Sequence, residues 1–570
     1  MRRLVLFVLA SCLSSTLVLA DSVTHSYLVG TRRPARQAVE RILRDDGVPA
    51  GRNIEAFDIV KAYRADLTDA EAISLRKSAE VAYVEEDILY HALEVPGRTA
   101  ANELRNPTGQ TVPYGVKMVN AQAVWPVTKG ASINVAVLDT GIDIAHPDLL
   151  TAYTGGFNTF YNDPKYKGEP QAPVDDEGHG THVSGTIAAS DNNIGVVGVA
   201  PGVHLWMVRV LRSDGNGSAT GPISKIAAGV QWVIQQKQAQ GGDWIISMSL
   251  GSCQPSTTLG SAISTAINAG ILVVAASGNH DPSKPDVCGT TDDNAYHVGY
   301  PAAYPGVVAV GAVDSTKTAA DFSNFGPEVA VAAPGVDVLS SVPVGTGVIA
   351  SVATSAGTTF NGSALSGSPF GTLSGAFVDC GLGKVASDFP ASVNGKIALI
   401  KRGDVTFAVK VKNAQAAGAT GVIIYNKDDS SLGFTLLGDA ADEGHVWPLT
   451  VSISLADGQA LLASHPASVT VSNAKDDYAS FNGTSMATPH VAAVAALAWS
   501  VAPAVTAETV KQALLSTAHD LGDAGIDTIY GNGLVDALEA AKKLNATAFG
   551  TGAQPQPPTF SGRYPGRRGH

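Results

Sequence analysis

The sequence predicts an α/β protein centred on a mainly parallel sheet with helices on both faces, a three-layer sandwich. A small α+β unit precedes it and a second α/β module is inserted into it. Three observations carry this expectation. From about residue 110 to 343, the apolar runs INVAVLD, HLWMVRVL, WIISMSL, ILVVAASGN and VVAVGAV alternate with helical patterns. Strands apolar on both faces belong in a parallel sheet covered on both sides. Residues 344–475 break that alternation with Ser-, Thr- and Gly-rich sequence and then a strand–helix–strand of their own, GKIALIKRGDVTFAVKVKNAQAAGATGVIIYNK; the first pattern returns at 476 and runs to 545. Residues 25–93 alternate short strands and helices on a smaller scale.

In chain order, MRRLVLFVLASCLSSTLVLA has two arginines, an apolar centre and a V-L-A ending before Asp21. It reads as a secretory signal peptide (1–20) cleaved after Ala20. A lipoprotein-type ending at Cys12 is the rival reading, and the apolar sequence continuing past Cys12 argues against it. SYLVG is expected as a strand and 35–46 as a basic helix. IEAFDIVKAYRADL reads as a strand pair or one long strand. Thr68-x-x-Glu71 forms a capping box for the helix TDAEAISLRKS, and VAYVEEDILYHAL closes the unit as a strand. A polar linker covers 94–109, so 21–109 form one N-terminal region. The tail 546–570 is rich in Pro and Gly and basic at its end.

The formal net charge of −13 has no long acidic runs, which suits a soluble surface and argues against nucleic-acid binding. No segment after the signal peptide reads as a membrane span. With Cys12 removed, Cys253, Cys288 and Cys380 remain. In an exported protein that count suggests one pair and one leftover thiol, and the spacing does not suggest zinc.

Three short stretches carry chemistry. INVAVLDTGIDIAHPDL ends a buried strand at Asp139, the edge where ligand-facing residues collect in open α/β sheets. DDEGHGTHVSGTIAA places His179 at the start of a small-residue helix. The i, i+3 pair His179 and His182 does not fit the usual i, i+4 zinc spacing, and His182 and His490 are taken as structural. GTSMATPH puts Ser485 at a helix N-terminus, where free N–H groups favour a developing oxyanion; Pro489 is read as marking that helix start. An N-capping serine is the plain alternative.

VLDTGID, HGTHVSGTIA and GTSMATPH together resemble the Asp, His and Ser signatures of the subtilisin-like serine peptidases, in that family's own chain order. The resemblance covers 110–343 and 476–545. It implies Ser485 as nucleophile, His179 as general base and then acid, and Asp139 as the residue fixing the imidazole tautomer. Asn279 in AASGN then corresponds to the oxyanion donor. Ser249, Leu250 and Gly251 in SLGS, with Asp214, Gly215 and Gly217 in DGNG, correspond to the segments pairing with an extended protein or peptide substrate. Gly299 in HVGYP corresponds to the floor of a pocket open to large apolar groups. A structural Ca2+ ion is implied at Gln110, Asp148 and Asn192 with the carbonyls of Ser190, Ile194 and Val196. Residues 25–93 resemble the family's inhibitory propeptide, and 344–475 the protease-associated (PA) domain, expected to filter substrates. The two walls of the cleft would be tied by Cys253–Cys288, leaving Cys380 without a partner.

The implied protein is a secreted, monomeric serine endopeptidase of broad specificity, made as a precursor inhibited by its own propeptide. A catalytically dead binding or adhesion protein on the same scaffold is the alternative, against which stand the intact Asp139, His179, Ser485 and Asn279.

Overall fold

The computed structural model describes residues 23–33, 53–93, 109–215, 218–280, 297–428, 434–437 and 444–550. The expected signal peptide, the helix at 35–46, the linker from 94 to 108, Gly217, Cys288 and the tail beyond 550 lie outside these.

Seven strands form the central sheet, in the order Val329–Pro334, Val308–Val313, Ile271–Ala276, Asp243–Met248, Ile133–Asp139, His204–Arg209, Tyr153–Asn158. Every pairing is parallel. Ile133–Asp139 is buried at all seven positions, as a strand with helices over both faces must be. One face packs against the helices His179–Ala188 and Thr484–Ser500, the other against Ile223–Gln240 and Thr257–Asn268. Ala and Val dominate Thr484–Ser500, and their small side chains let it lie buried along nearly its whole length. Among the described residues no helix is long and apolar enough to cross a membrane.

Pro489 corrects one expectation. The helix begins at Thr484, so Pro489 lies inside it rather than at its start. Proline has no N–H to give the carbonyl four residues earlier. That carbonyl belongs to Ser485, and the Ser249 hydroxyl donates to it instead at 2.8 Å. The interruption is thus satisfied by a side chain from another part of the chain.

In the N-terminal unit a four-stranded antiparallel sheet runs Glu55–Phe57, Ala62–Leu67, His25–Thr31, Val81–Glu86. The capping box forms on the helix Asp69–Leu75: Glu71 N donates to Thr68 Oγ1 at 3.2 Å and Thr68 N to Glu71 Oε2 at 2.7 Å. The expected single closing strand is two. Val81–Glu86 stays in this sheet, while Leu89–Ala92 leaves it and inserts between Leu250–Gly251 and Ala219–Pro222 of the large domain. The unpaired backbone edges of those two segments capture the second half of the run.

Between the sheet strand Val338–Ser341 and its partner Tyr478–Phe481, a third unit carries eight strands. Its first strand, Gly347–Thr354, and its last, Val469–Asp476, pair antiparallel with Gly347 opposite Asp476, so the inserted sheet enters and leaves at one place. Ile397–Lys401 and Gly421–Tyr425 are parallel across the helix Phe407–Ala416.

Candidate active site

Asp139 is the last residue of the central strand, and His179 the first of its helix. Both are fully buried. Asp139 Oδ1 lies 2.7 Å from His179 Nδ1 and accepts a second bond, also 2.7 Å, from Thr140 N. A buried carboxylate fixed by a backbone donor holds the ring with its Nδ1 protonated, leaving Nε2 as the basic nitrogen.

The start of the His179 helix has a glycine at its N-cap, which offers no side-chain oxygen. Asp175 supplies one. It accepts from Gly178 N, Glu177 N, Thr181 N and the Thr140 and Thr181 hydroxyls at 2.5–3.0 Å. Thr140 Oγ1 in turn accepts from Gly180 N at 2.8 Å. Burial raises the Asp175 pKa against the pull of these donors. Asp175 thereby joins the strand end that bears Asp139 to the helix that bears His179. The sequence reading missed it, although an acidic residue shortly before a helix start is a capping signal.

Ser485 is the second residue of Thr484–Ser500, within the first turn whose N–H groups have no intrahelical partner. Its hydroxyl donates to Ser249 O at 3.0 Å. Asn279 follows the strand Ile271–Ala276. Its Oδ1 accepts from Thr484 N at 3.0 Å and Thr484 Oγ1 at 2.8 Å, which aims its amide N–H outward. That amide donates to the carbonyl of Leu93, the residue that follows the inserted strand, at 2.7 Å. Thr484 is a positioning residue that the motif alone did not reveal.

Leu89–Leu93 lies across the cleft as an extended peptide. Leu250 pairs with Ala92 and Gly251 with His91, and Leu93 N donates to Ser249 O at 3.3 Å. A Cβ at Gly251 would come within 2.9 Å of the tip of the Leu93 side chain, so the two residues face each other closely. On the other side the ladder is formed by Thr220, Gly221 and Pro222, not by Asp214 and Gly215. Those two sit in a turn closed by Asp214 N to Ser218 O at 2.9 Å, because the hairpin continues past them before it meets the peptide. Gly299 lies between the two walls: a Cβ there would meet Ser252 O at 3.3 Å and Ser277 O at 3.6 Å.

His182 and His490 take no part. His182 Nε2 lies 2.9 Å from Val338 O, and its ring stacks on Phe481 at 4.3 Å. Burial, with the neighbouring His179, pushes its pKa down to about 3. His490 Nδ1 lies 2.8 Å from Met486 O, and burial pushes its pKa down to about 4.

Two acidic residues of the N-terminal unit cap helices of the large domain. Glu85 accepts from Ser256 Oγ, Thr257 N and Thr258 N at 2.8–2.9 Å, at the start of Thr257–Asn268. Asp87 accepts from Ser224 N and Oγ at 2.8 and 2.7 Å, at the start of Ile223–Gln240, whose Pro222 cap has no side-chain acceptor. Carboxylates at helix N-termini are each worth about 1 kcal/mol. A buried Lys225 adds ion pairs to Glu55 at 2.9 Å and Asp163 at 2.6 Å.

The expected cation positions also converge. Gln110 Nε2 donates to Ser190 O, Val196 O and Asn192 Oδ1 at 2.7, 3.2 and 3.3 Å. Asp148 accepts from Asn192 Nδ2, Val196 N and Tyr478 Oη at 2.9–3.0 Å. Ile194 joins through its N–H, which donates to Asn192 Oδ1 at 3.1 Å.

A strand-end carboxylate paired with a buried imidazole, a helix-N-terminal serine and an amide aimed at a peptide carbonyl are the groups that serine endopeptidases use. Comparison with known proteins gives the family. The Subtilase family profile matches residues 130–367 and the PA domain profile 369–461. Subtilisin NAT of Bacillus subtilis subsp. natto is 36% identical over 329 residues, covering 57% of this chain and 75% of that protein. Among solved structures, the psychrophilic subtilisin-like protease Apa1 from the Antarctic psychrotroph Pseudoalteromonas sp. AS-11 aligns with a TM-score of 0.58 at 30% identity. The alignment covers 77% of this chain and 99% of that one. Fervidolysin from Fervidobacterium pennivorans shares the fold, with a TM-score of 0.55 at 23% identity, over 91% of this chain and 61% of its own. The chain belongs to the subtilase family and is a subtilisin-like serine endopeptidase with a PA domain.

Proposed function

We propose that this is a secreted serine endopeptidase made as a precursor, in which residues 21–109 act as inhibitory propeptide and linker and the first bond cut is Leu93–Glu94. The observation that carries this reading is the Asn279 amide 2.7 Å from the Leu93 carbonyl, with Leu89–Ala92 held as a strand in the cleft. In the reaction, Ser485 Oγ attacks the Leu93 carbonyl carbon while His179 Nε2 takes its proton. Asp139 stabilises the imidazolium, and Asn279 Nδ2 with Ser485 N–H receives the oxyanion. His179 returns the proton to the amine of Glu94 as the C–N bond breaks, and water then releases the acyl group by the same route. A fluorophosphonate should label the purified enzyme on Ser485; a binding protein on this scaffold would stay unlabelled.

Leu93 beside Gly251, and the glycine at 299, support acceptance of large apolar residues before the scissile bond. A Cys253–Cys288 disulfide accords with Cys380 being buried and free.

The residues also fit a structural calcium ion. Three oxygens, Ser190 O, Val196 O and Asn192 Oδ1, converge on the Gln110 amide; an all-oxygen set built largely from carbonyls and amides, with the carboxylate of Asp148 beside it, suits calcium rather than zinc. The ion would stiffen the loop 189–196 and tether the segment at Gln110. Binding to the folded state alone stabilises it by about 3–4 kcal/mol at several hundred times Kd. EDTA should therefore lower the thermal midpoint and hasten self-digestion, and Asp148→Ala should remove that sensitivity. An unchanged midpoint together with a metal-free elemental assay would refute the site.

A further inference from the structure

We infer that calcium binding is coupled to the root of the inserted domain, with Tyr478 as the positioning residue that joins the two. The inference rests on the calcium reading above and adds to it what the ion does at a distance: it stiffens the place where the insert leaves the large domain.

The insert departs after Val338–Ser341 and returns at Tyr478–Phe481, and these strands pair with Ser341 opposite Tyr478. Leu339 and Tyr478, one from each strand, pack in a separate buried cluster with Ala189 and Val196, the two ends of the loop 189–196. The Tyr478 hydroxyl reaches from that root to Asp148 Oδ2 at 2.9 Å, the oxygen that also accepts from Val196 N at 3.0 Å. Asn192 Nδ2 holds Oδ1 at 2.9 Å. Gly195 makes room for this meeting: its φ is +54°, and a Cβ there would run into both the Tyr478 hydroxyl and the Asp148 carboxylate.

A second route runs through His146, which is fully buried. Its Nδ1 accepts from Asp148 N at 3.1 Å, which leaves Nε2 protonated and donating to Asp477 O at 3.0 Å. The ring also meets Tyr478 edge-on at 5.2 Å. Asp477 in turn holds the other side of the root. Its carbonyl accepts from Val342 N and its carboxylate from Gly345 N, both at 2.8 Å. Asp148 is thus tied to both residues, 477 and 478, at which the chain re-enters the large domain.

Asp148 is the one carboxylate of the expected calcium set. A donor that holds a ligating carboxylate in place spares the ion the ordering of that group, and losing such a partner costs roughly 10–100-fold in metal affinity. Coupling between two sites is reciprocal, so what the root contributes to calcium affinity, calcium returns to the root as rigidity.

The test uses mature enzyme inactivated with a fluorophosphonate, to prevent self-digestion, and calcium chloride as the ligand. Titration calorimetry should give a Kd about tenfold weaker for Tyr478→Phe, which keeps the ring against His146 and removes the hydroxyl. Hydrogen exchange should show calcium slowing the amides of Val342 and Gly345 in the wild type, and slowing them less in Tyr478→Phe at equal saturation. A variant with a lower calcium-free thermal midpoint but an unchanged Kd has lost a structural bond only, which overturns the inference. Calcium that slows exchange in 189–196 but not at 342–345 overturns it as well. Either result leaves the calcium reading intact. If the wild-type enzyme binds no calcium, the calcium reading fails and the inference with it.

Discussion

Ser485→Ala accumulates as an intact precursor, with the N-terminal unit still joined through Glu94. Removing the nucleophile of subtilisin costs on the order of 10⁶ in turnover, and the same loss is expected here. On the proposed function the first cleavage is the enzyme's own, because Leu89–Leu93 already occupies the cleft and the Leu93 carbonyl is bonded to Asn279. Folding should not suffer. The hydroxyl of Ser485 makes one bond, to Ser249 O, whereas the Ser485 carbonyl keeps its own bond from Ser249 Oγ. Intact-mass measurement in a host lacking other peptidases reads the result, and sequencing the first wild-type product should give Glu94 as its N-terminus. A Ser485→Ala protein processed normally would show that another peptidase does the work. A first cut elsewhere in 94–109 would refute the register.

Asp139→Asn should lower kcat by about 10⁴ near neutral pH with little change in KM, the magnitude established for the corresponding substitution in chymotrypsin-type enzymes. Asp139 Oδ1 accepts from Thr140 N and faces His179 Nδ1 at the same 2.7 Å. Both contacts fall on one oxygen, so an asparagine whose amide oxygen stays there keeps both but brings no charge to stabilise the imidazolium. One turned the other way points its amide hydrogens at Nδ1 and drives the proton to Nε2, the nitrogen that must receive the proton of Ser485. The helix that carries His179 remains anchored by Asp175, so the thermal midpoint should move little. A variant that keeps more than a tenth of wild-type kcat would remove Asp139 from the mechanism.

The sequence by itself determined the layers and the chemistry. Apolar runs such as INVAVLD specify doubly covered parallel strands through the identity of adjacent residues, and that local information survives into the structure. The three motifs were equally legible, because each confines a reactive side chain to a strand end or a helix start. What tertiary structure alone decided are contacts between residues far apart in the chain. VAYVEEDILYHAL has one continuous strand pattern, yet it divides at Asp87 because two distant backbone edges offer Leu89–Ala92 better pairing than its own sheet does. Pro489 looks like a helix start until Ser249, 236 residues before Ser485, is found bonded to the carbonyl that Pro489 cannot serve. Glu85 and Asp87 read as solvated charges and become helix caps only when the two units dock. Tyr90 reads as one more apolar position in a strand, and the carbonyl that accepts its hydroxyl lies 164 residues away. Periodicity encodes which face a residue presents; hydrogen-bond partners brought together by folding are not written in any local pattern.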